Sequence, residues 1–568
     1  MKRLVSILLC ALLLIGCLTT AISAAGDSVP FIVATDLHYS SPPQEVTVNH
    51  PGVKYYCAGD ESTLTSESNA IIRQFLREAA ASDARFLLLC GDLTNKGTRR
   101  QHTEMAQILR EFTAQYGKQV FVIDGNHDFY DRIPVEDFRD IYHASGYDQA
   151  LEIDETTCSY TADLTDSLRL LALDTCEHGA GKDGITPELL AWAQRQAERA
   201  KKDGKRLIAI THHNCLEHIP MQSKLMSDFI IDPAKDMKTH FLDWGVRYVF
   251  SGHTHAHDIK DYTDKSGRKM YEILTTSLSG YPCAYRTLTL STEGLDVKTV
   301  MLQGVDRADL PQSGYTDELL TELTGDLQTY AKGSFRQAFG VRKEQFFGAG
   351  SMRRILARLG GEKLQGAFDL VFPAFAANLA LPIYAKDAAD GESLERIANE
   401  IGLHFRQTDD RDVTDTLYFF ATILFYGDGD TSYNDDRIVL FTQCVYTALY
   451  AALRDVSAEK RAAILSDAGT AASAVLPYTA ARVGSIALEG MSDDALLETA
   501  LLIASPFIEL FSKDNDDLPD GDVFLPDRDD APETFAQKFL RILRFAWNLL
   551  IRYITDSRTI WSRRPARG

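Results

Sequence analysis

Paired cysteines are scarce in this 568-residue chain: it has nine, and none falls in a CxxC pattern. Cys10 and Cys17 lie within the first 25 residues. The other seven, Cys57, Cys90, Cys158, Cys176, Cys215, Cys283 and Cys444, are scattered and odd in number. This excludes a disulfide scaffold and a zinc–thiolate site, leaving at most one bridge, Cys158 to Cys176. Basic residues are also in short supply, with 59 Lys and Arg against 80 Asp and Glu and a formal net charge of −21. Such a surface repels a polyphosphate backbone, which excludes nucleic acid as a partner held on a basic face. An anionic small substrate is still compatible, because bound cations set the local sign of a site whatever the global charge. No internal repeat is evident.

What is present is ordinary globular composition, 45% hydrophobic and 24% charged, at a length that favours two domains. Residues 1–25 read as an export signal: Lys2 and Arg3, an apolar run over 4–15 too short to span a membrane, then small residues. Ser23-Ala24-Ala25 suits ordinary signal peptidase, whereas Leu14-Ile15-Gly16-Cys17 suits lipidation at Cys17. The expected location is therefore outside the cytoplasm, extracellular or on the cell envelope.

Six apolar runs, at 31–38, 85–93, 119–128, 168–175, 206–213 and 246–255, end in Gly, Asp, Asn or His. Continuous apolar runs predict strands covered on both faces, and their polar ends should converge where α/β sheets bind ligands. Helices are predicted near 67–81, 99–115 and 186–203. The pieces 270–276, 285–290 and 295–302 suggest a second, more antiparallel sheet. This defines a catalytic unit over 30–305. Beyond it, helical spacing (318–330, 440–453, 496–511) predicts a mostly α-helical domain over 310–512. The acidic stretches 427–436 and 514–530 lack EF-hand spacing and read as solvated loops, the second lying in a linker over 513–533. The last segment, 534–568, holds a basic amphipathic helix over 535–554, with Lys538, Arg541, Arg544 and Arg552 on its polar stripe. It suits either an anionic surface such as lipid head groups or docking on the helical domain.

The chemistry lies in five strand-end motifs: Asp36-Leu37-His38, Gly91-Asp92, Gly125-Asn126-His127-Asp128, Thr211-His212-His213 and Gly252-His253-Thr254-His255. Every one offers oxygen or imidazole ligands and none a thiolate, a set suited to manganese, iron or zinc. In this order the motifs resemble the calcineurin-like metallophosphoesterase superfamily, across about 31–300. The flavour is closest to its cyclic-nucleotide and glycerophosphodiester phosphodiesterase branch.

That resemblance implies a four-layer αββα sandwich and two metal ions. Asp36, His38 and His255 would hold one, and Asn126, His212 and His253 the other, with Asp92 bridging both. It further implies hydrolysis of a phosphate mono- or diester by a hydroxide between the metals, on a small-molecule, lipid or polymer substrate. His127 would face substrate as a transition-state stabiliser or acid, and Asp128 would orient and charge His127. Asp124 stands where proline is usual, altering the turn or adding charge. Asn214 follows the histidine pair where proline is usual, which leaves His212 and His213 competing as the ligand. His178, His218 and His257 read as surface or supporting residues. The long segment 40–66, with His50, Tyr55 and Tyr56, should shape access to the site. The alternatives are a nucleotide or wall-polymer phosphatase, or a non-catalytic surface binding protein on the same scaffold.

Overall fold

The computed structural model describes residues 28–43, 54–55, 62–176, 184–219, 222–347, 350, 353, 362–389, 391–426, 435–454 and 456–464, with short pieces between 491 and 529. The leader with Cys17, the acidic stretch 427–434, the basic tail 534–568, His50, Tyr56 and His178 lie outside the described residues.

The predicted strands form, but in two sheets. β1 (Val29–Ala34), β2 (Phe86–Cys90) and β3 (Gln119–Ile123) run parallel, with Ile32 beside Leu87 and Leu87 beside Val120. β6 (Leu168–Ala172), β7 (Arg206–Ile210) and β8 (Val246–Ser251) form a second parallel block. The first block is extended antiparallel by β11 (Ala284–Leu290), β12 (Gly294–Met301) and β13 (Val523–Pro526). The second gains β4 (Ala150–Ile153) and β5 (Tyr160–Asp163) on one side and β10 (Lys269–Leu274) and β9 (Asp258–Thr263) on the other. The expectation of a separate antiparallel sheet after His255 is thus corrected. β10 lies parallel to β8, while β11 and β12 join β1. The stretch read as an acidic linker likewise contains β13, which closes the edge of the first sheet against β12.

The sheets face each other across one core, in which Phe31 of β1 meets Phe250 of β8 edge-on at 5.7 Å. Helices Ser68–Ala81 and Arg99–Tyr116 lie outside the first sheet, and Pro187–Lys202 and Met237–Trp244 outside the second. The bounds of the first three fall within one residue of those predicted, and Met237–Trp244 adds a helix that the periodicity did not indicate. Thr98 and Thr186 cap the two longest N-termini by accepting from Gln101 N and Leu189 N. The result is an α/β sandwich of four layers.

The C-terminal half is helical in the regions described, including Leu327–Phe347, Glu362–Leu379, Val413–Tyr426 and Asp436–Leu453. The predicted helix over 318–330 is broken at Asp326, whose φ of −150° leaves helical space. The helical half shares the sandwich's core: Phe335 stacks on Tyr281 at 5.8 Å, and Gln328 Nε2 donates to the carbonyls of Pro282 and Leu302. It also grips the access segment. Lys54 pairs with Glu318 and Glu322, Gln337 bonds both the N–H and the carbonyl of Tyr55, and the Tyr55 ring packs on Tyr330. Tyr55 is thus a packing residue. Among the described residues no helix is long and apolar enough to cross a membrane.

At this junction the buried Glu67 accepts the hydroxyls of Tyr315 (2.6 Å) and Tyr330 (2.8 Å). Burial pushes its carboxyl up to about 6 from 4.5, against the pull of both hydroxyls. The folded state therefore holds this proton more tightly than the unfolded chain. Stability contributed here is full below the unfolded value and falls by about 2 kcal/mol as pH rises from 4.5 through about 6. Glu67→Gln cannot titrate. In urea melts its stability relative to wild type should improve by about 2 kcal/mol between about pH 4 and about pH 7.

Candidate metal centre

All five motifs sit just beyond the carboxyl ends of parallel strands, three from the first sheet and two from the second. Asp36 and His38 follow β1, Asp92 follows β2, Asn126 follows β3, His212 follows β7, and His253 and His255 follow β8. The chain is strained where it presents them. Of nine non-glycine residues with positive φ among those described, five are Asp36, His38, Asp92, His253 and His255, at 44° to 71°. Backbone in this region costs energy for a side chain, and its clustering at one place marks a functional site. Glycines supply the clearance. A Cβ on Gly125 would overlap the carboxylate of Asp92, and one on Gly252 would overlap Thr35 Oγ1 and Asp36 Oδ2.

The ligand atoms converge. Asp36, His38 and His255 bring one atom each within 4.8 Å of one another, and so do Asp92, His212 and His253, and His38, Asp92 and His127. His38 Nε2 and His255 Nε2 face each other at 3.0 Å, His255 Nε2 is 3.3 Å from Asp36 Oδ1, and His212 Nε2 is 3.4 Å from Asp92 Oδ2. Asn126 Oδ1 lies 3.1 Å from His212 Nε2, its amide turned that way because Nδ2 donates to Tyr130 Oη.

Outward bonds set the imidazole tautomers. His212 Nδ1 donates to the Cys90 carbonyl (2.9 Å) and His253 Nε2 to the Asp228 carbonyl (3.1 Å). The opposite nitrogen of each ring is the one left for a metal to take in exchange for its proton. Facing imidazoles, two buried carboxylates and an amide oxygen make clusters able to hold metal ions.

Electrostatics agree. Burial alone would raise the Asp36 carboxyl, but the charge and hydrogen bond of His255, with His212 beyond, hold it at about 2. Asp92 is likewise held well below the carboxylate range, with His212 and His127 overcoming burial. His212, which burial would lower, is raised to about 9 by Asp92. His38 is pushed well down by burial and by His127, and His253 to about 3 by burial and by His212.

The structure brings His212 rather than His213 to Asp92 and Asn126. His213 is tied back by Thr175 Oγ1 at 2.9 Å. Asp128 departs from the role the resemblance implied. Its carboxylate accepts from Leu93 N, Thr94 N, Thr94 Oγ1 and Gly125 N, stapling the Asp92 loop to the Asn126 loop. The group that orients His127 is the Asn95 carbonyl, to which Nδ1 donates at 2.9 Å. At Asp124, burial and the neighbouring Asp174 and Asp128 push the carboxyl well up. His218 and His257 are buried rather than superficial: His218 pairs with Asp258 at 2.6 Å, and His257 meets Thr299 at 2.9 Å. Cys158 and Cys176 are free thiols on either side of Asp174, so the possible bridge is not made. Asn95 and Tyr130 escaped the sequence reading, although they lie within three residues of motif positions.

Residues 29–257 match the family described as calcineurin-like phosphoesterase. They are a calcineurin-like phosphoesterase domain. No curated protein matches the chain. Among solved structures it is similar to a dimetal phosphatase from Danio rerio, at 13% identity and TM-score 0.35, over 48% of this chain and 95% of that one. It is also similar to a purple acid phosphatase from yellow lupin (Lupinus luteus), at 12% identity and TM-score 0.32, over 49% and 52%. GAP50, the anchor in the inner membrane complex of Plasmodium, shares 12% identity at TM-score 0.31 over 55% and 94%.

The phosphoesterase domain depends on its tight glycines. Gly252→Ala forces a methyl group into Thr35 and Asp36, and overpacking of this kind costs about 1–3 kcal/mol. A thermal melt should show that loss in the metal-free protein. Titration with Mn²⁺ should show weakened binding, because Asp36 is the carboxylate displaced.

Proposed function

We propose that this chain hydrolyses phosphate esters, mono- or diesters, with two divalent cations held by Asp36, His38, Asp92, Asn126, His212, His253 and His255. The observation that carries this reading is the convergence of strained, buried carboxylates and imidazoles from both sheets on Asp92. Two cations bound there supply an activated water and neutralise charge on the phosphoryl oxygens. They also reconcile an anionic substrate with an acidic chain.

The protein's own groups do the rest. Asp92 lies between the two sets of ligands and presents Oδ2 to His212 and, 3.8 Å away, to His38. His127 stands at the lip of the site, 24% exposed, and the Asn95 carbonyl fixes its Nδ1 proton. Its Nε2 is therefore the nitrogen left to stabilise charge on the phosphoryl group or to hand a proton to the departing ester oxygen. The leader, with Lys2, Arg3 and the apolar run 4–15, supports action outside the cytoplasm, whether it is cleaved at Ser23-Ala24-Ala25 or lipidated at Cys17. The basic stripe over 535–554 supports contact with an anionic envelope surface.

Purified protein loaded with Mn²⁺ should hydrolyse p-nitrophenyl phosphate, bis(p-nitrophenyl) phosphate or both, and EDTA should remove the activity. Folded, metal-loaded protein that turned over neither ester would refute the hydrolase reading and favour a binding protein on the same scaffold. The ratio of the two rates assigns monoesterase or diesterase.

A further inference from the structure

Large apolar side chains rarely stay in water without a reason when they gather at a site. Among the described residues Tyr116, Tyr130, Leu151, Phe229 and Phe524 are exposed, and two of these touch histidines of the metal centre. Tyr130 is 54% exposed, and its ring lies 4.3 Å from that of His127, inclined by 38°. Phe229 is 38% exposed, and its ring lies 5.0 Å from that of His253, inclined by 34°.

The two rings belong to opposite halves of the centre. His127 adjoins His38 (4.6 Å between rings) and His253 adjoins His212 (4.9 Å), with Asp92 between these pairs. Both rings are held in place. The Tyr130 hydroxyl accepts from Asn126, and the turn carrying Phe229 is pinned where the Asp228 carbonyl accepts from His253. A ring fixed before binding loses little entropy when a partner stacks on it. The phosphoryl group is common to every ester, so discrimination must come from what borders it, and here the borders are flat π-faces.

We infer that Tyr130 and Phe229 form an aromatic bracket over the metal centre that takes a flat ring of the substrate, so that aryl or nucleobase-bearing phosphoesters are preferred to aliphatic ones. The inference rests on the hydrolase reading for its substrate but not for its binding geometry. Loss of one such stack weakens binding about 5- to 150-fold.

Calorimetry on the full chain loaded with Mn²⁺ tests it, with phenylphosphonate and methylphosphonate as probes that cannot be hydrolysed. Phenylphosphonate should bind about 25-fold tighter or more, from two stacks of at least about fivefold each. Phe229→Leu and Tyr130→Leu should each cut that ratio at least about fivefold, whereas Tyr130→Phe, which keeps the ring, should preserve it. Equal affinities in the wild type, no binding of phenylphosphonate, or a ratio unmoved by both leucine variants would overturn the bracket. AMP against ribose 5-phosphate then identifies a nucleobase as the ring, because the two share the same leaving oxygen. Phenyl phosphate preferred over both assigns an aryl group. If the phosphonates discriminate as stated and no ester is turned over, the bracket stands and the hydrolase reading falls.

Discussion

Asp92→Asn should lower turnover by about 10³-fold or more and reduce bound metal from two ions per chain toward one or none. The substitution is close to isosteric. Asn keeps an oxygen where Oδ1 accepts the His127 N–H at 2.8 Å, and asparagine tolerates the left-handed φ of 48° found at this position. What disappears is the negative charge that Oδ2 places 3.4 Å from His212 and 3.8 Å from His38. Two divalent cations at bonding distance from one residue repel strongly, and a shared carboxylate is the group that offsets this. An amide cannot replace it. Metal analysis of gel-filtered protein and kcat on p-nitrophenyl phosphate check both halves of the prediction. A variant that kept two ions and wild-type turnover would show that Asp92 is not the bridge. The metal-free protein should melt as a folded domain, which separates loss of the site from loss of the fold.

How much of this the sequence carried depends on whether the cause was local. Each candidate ligand could be found because a buried parallel strand is a continuous apolar run, and the first polar residues after it mark the carboxyl end. Helix limits were legible for the same reason, since Thr98 and Thr186 are capping residues at the predicted starts. Strand partners were not. The burial of β11 alternates toward its end, as an antiparallel strand's should, but that pattern does not say whether the neighbour is β1 or β8. β13 is four residues in an acidic stretch, too short to show a period, and only its pairing with β12 defines it.

The role of Asp128 was misread for a geometric reason. Residues Asn126–Phe129 form a 3-10 turn, in which successive side chains point about 120° apart. His127 therefore looks to the Asn95 carbonyl and the site, while Asp128 looks inward to Leu93 and Thr94. Chain adjacency suggested a contact that the turn forbids. The helical half showed its periodicity but not its docking, because Glu67, Tyr315 and Tyr330 meet across more than two hundred residues of chain.

His127→Ala should lower kcat by about 10²–10⁴-fold, the range of a general acid or base, while leaving metal content at the wild-type level. The side chain is not needed to build the ligand set, since the His127 backbone N–H, and not its ring, makes the bond to Asp92 Oδ1. Its ring is held on one side by the Asn95 carbonyl and leaves Nε2 4.0 Å from Asp92 Oδ2, at the mouth of the site. A proton donated there is worth most when the departing oxygen is basic. The loss should therefore be near the upper end of that range for an alkyl ester such as glycerol phosphate. It should fall near the lower end for p-nitrophenyl phosphate, whose leaving group departs readily as an anion. Measuring both esters separates the two roles open to this residue. A loss that grows with leaving-group basicity identifies His127 as the acid. An equal loss on both assigns it to stabilising charge on the phosphoryl group, with the proton coming from water.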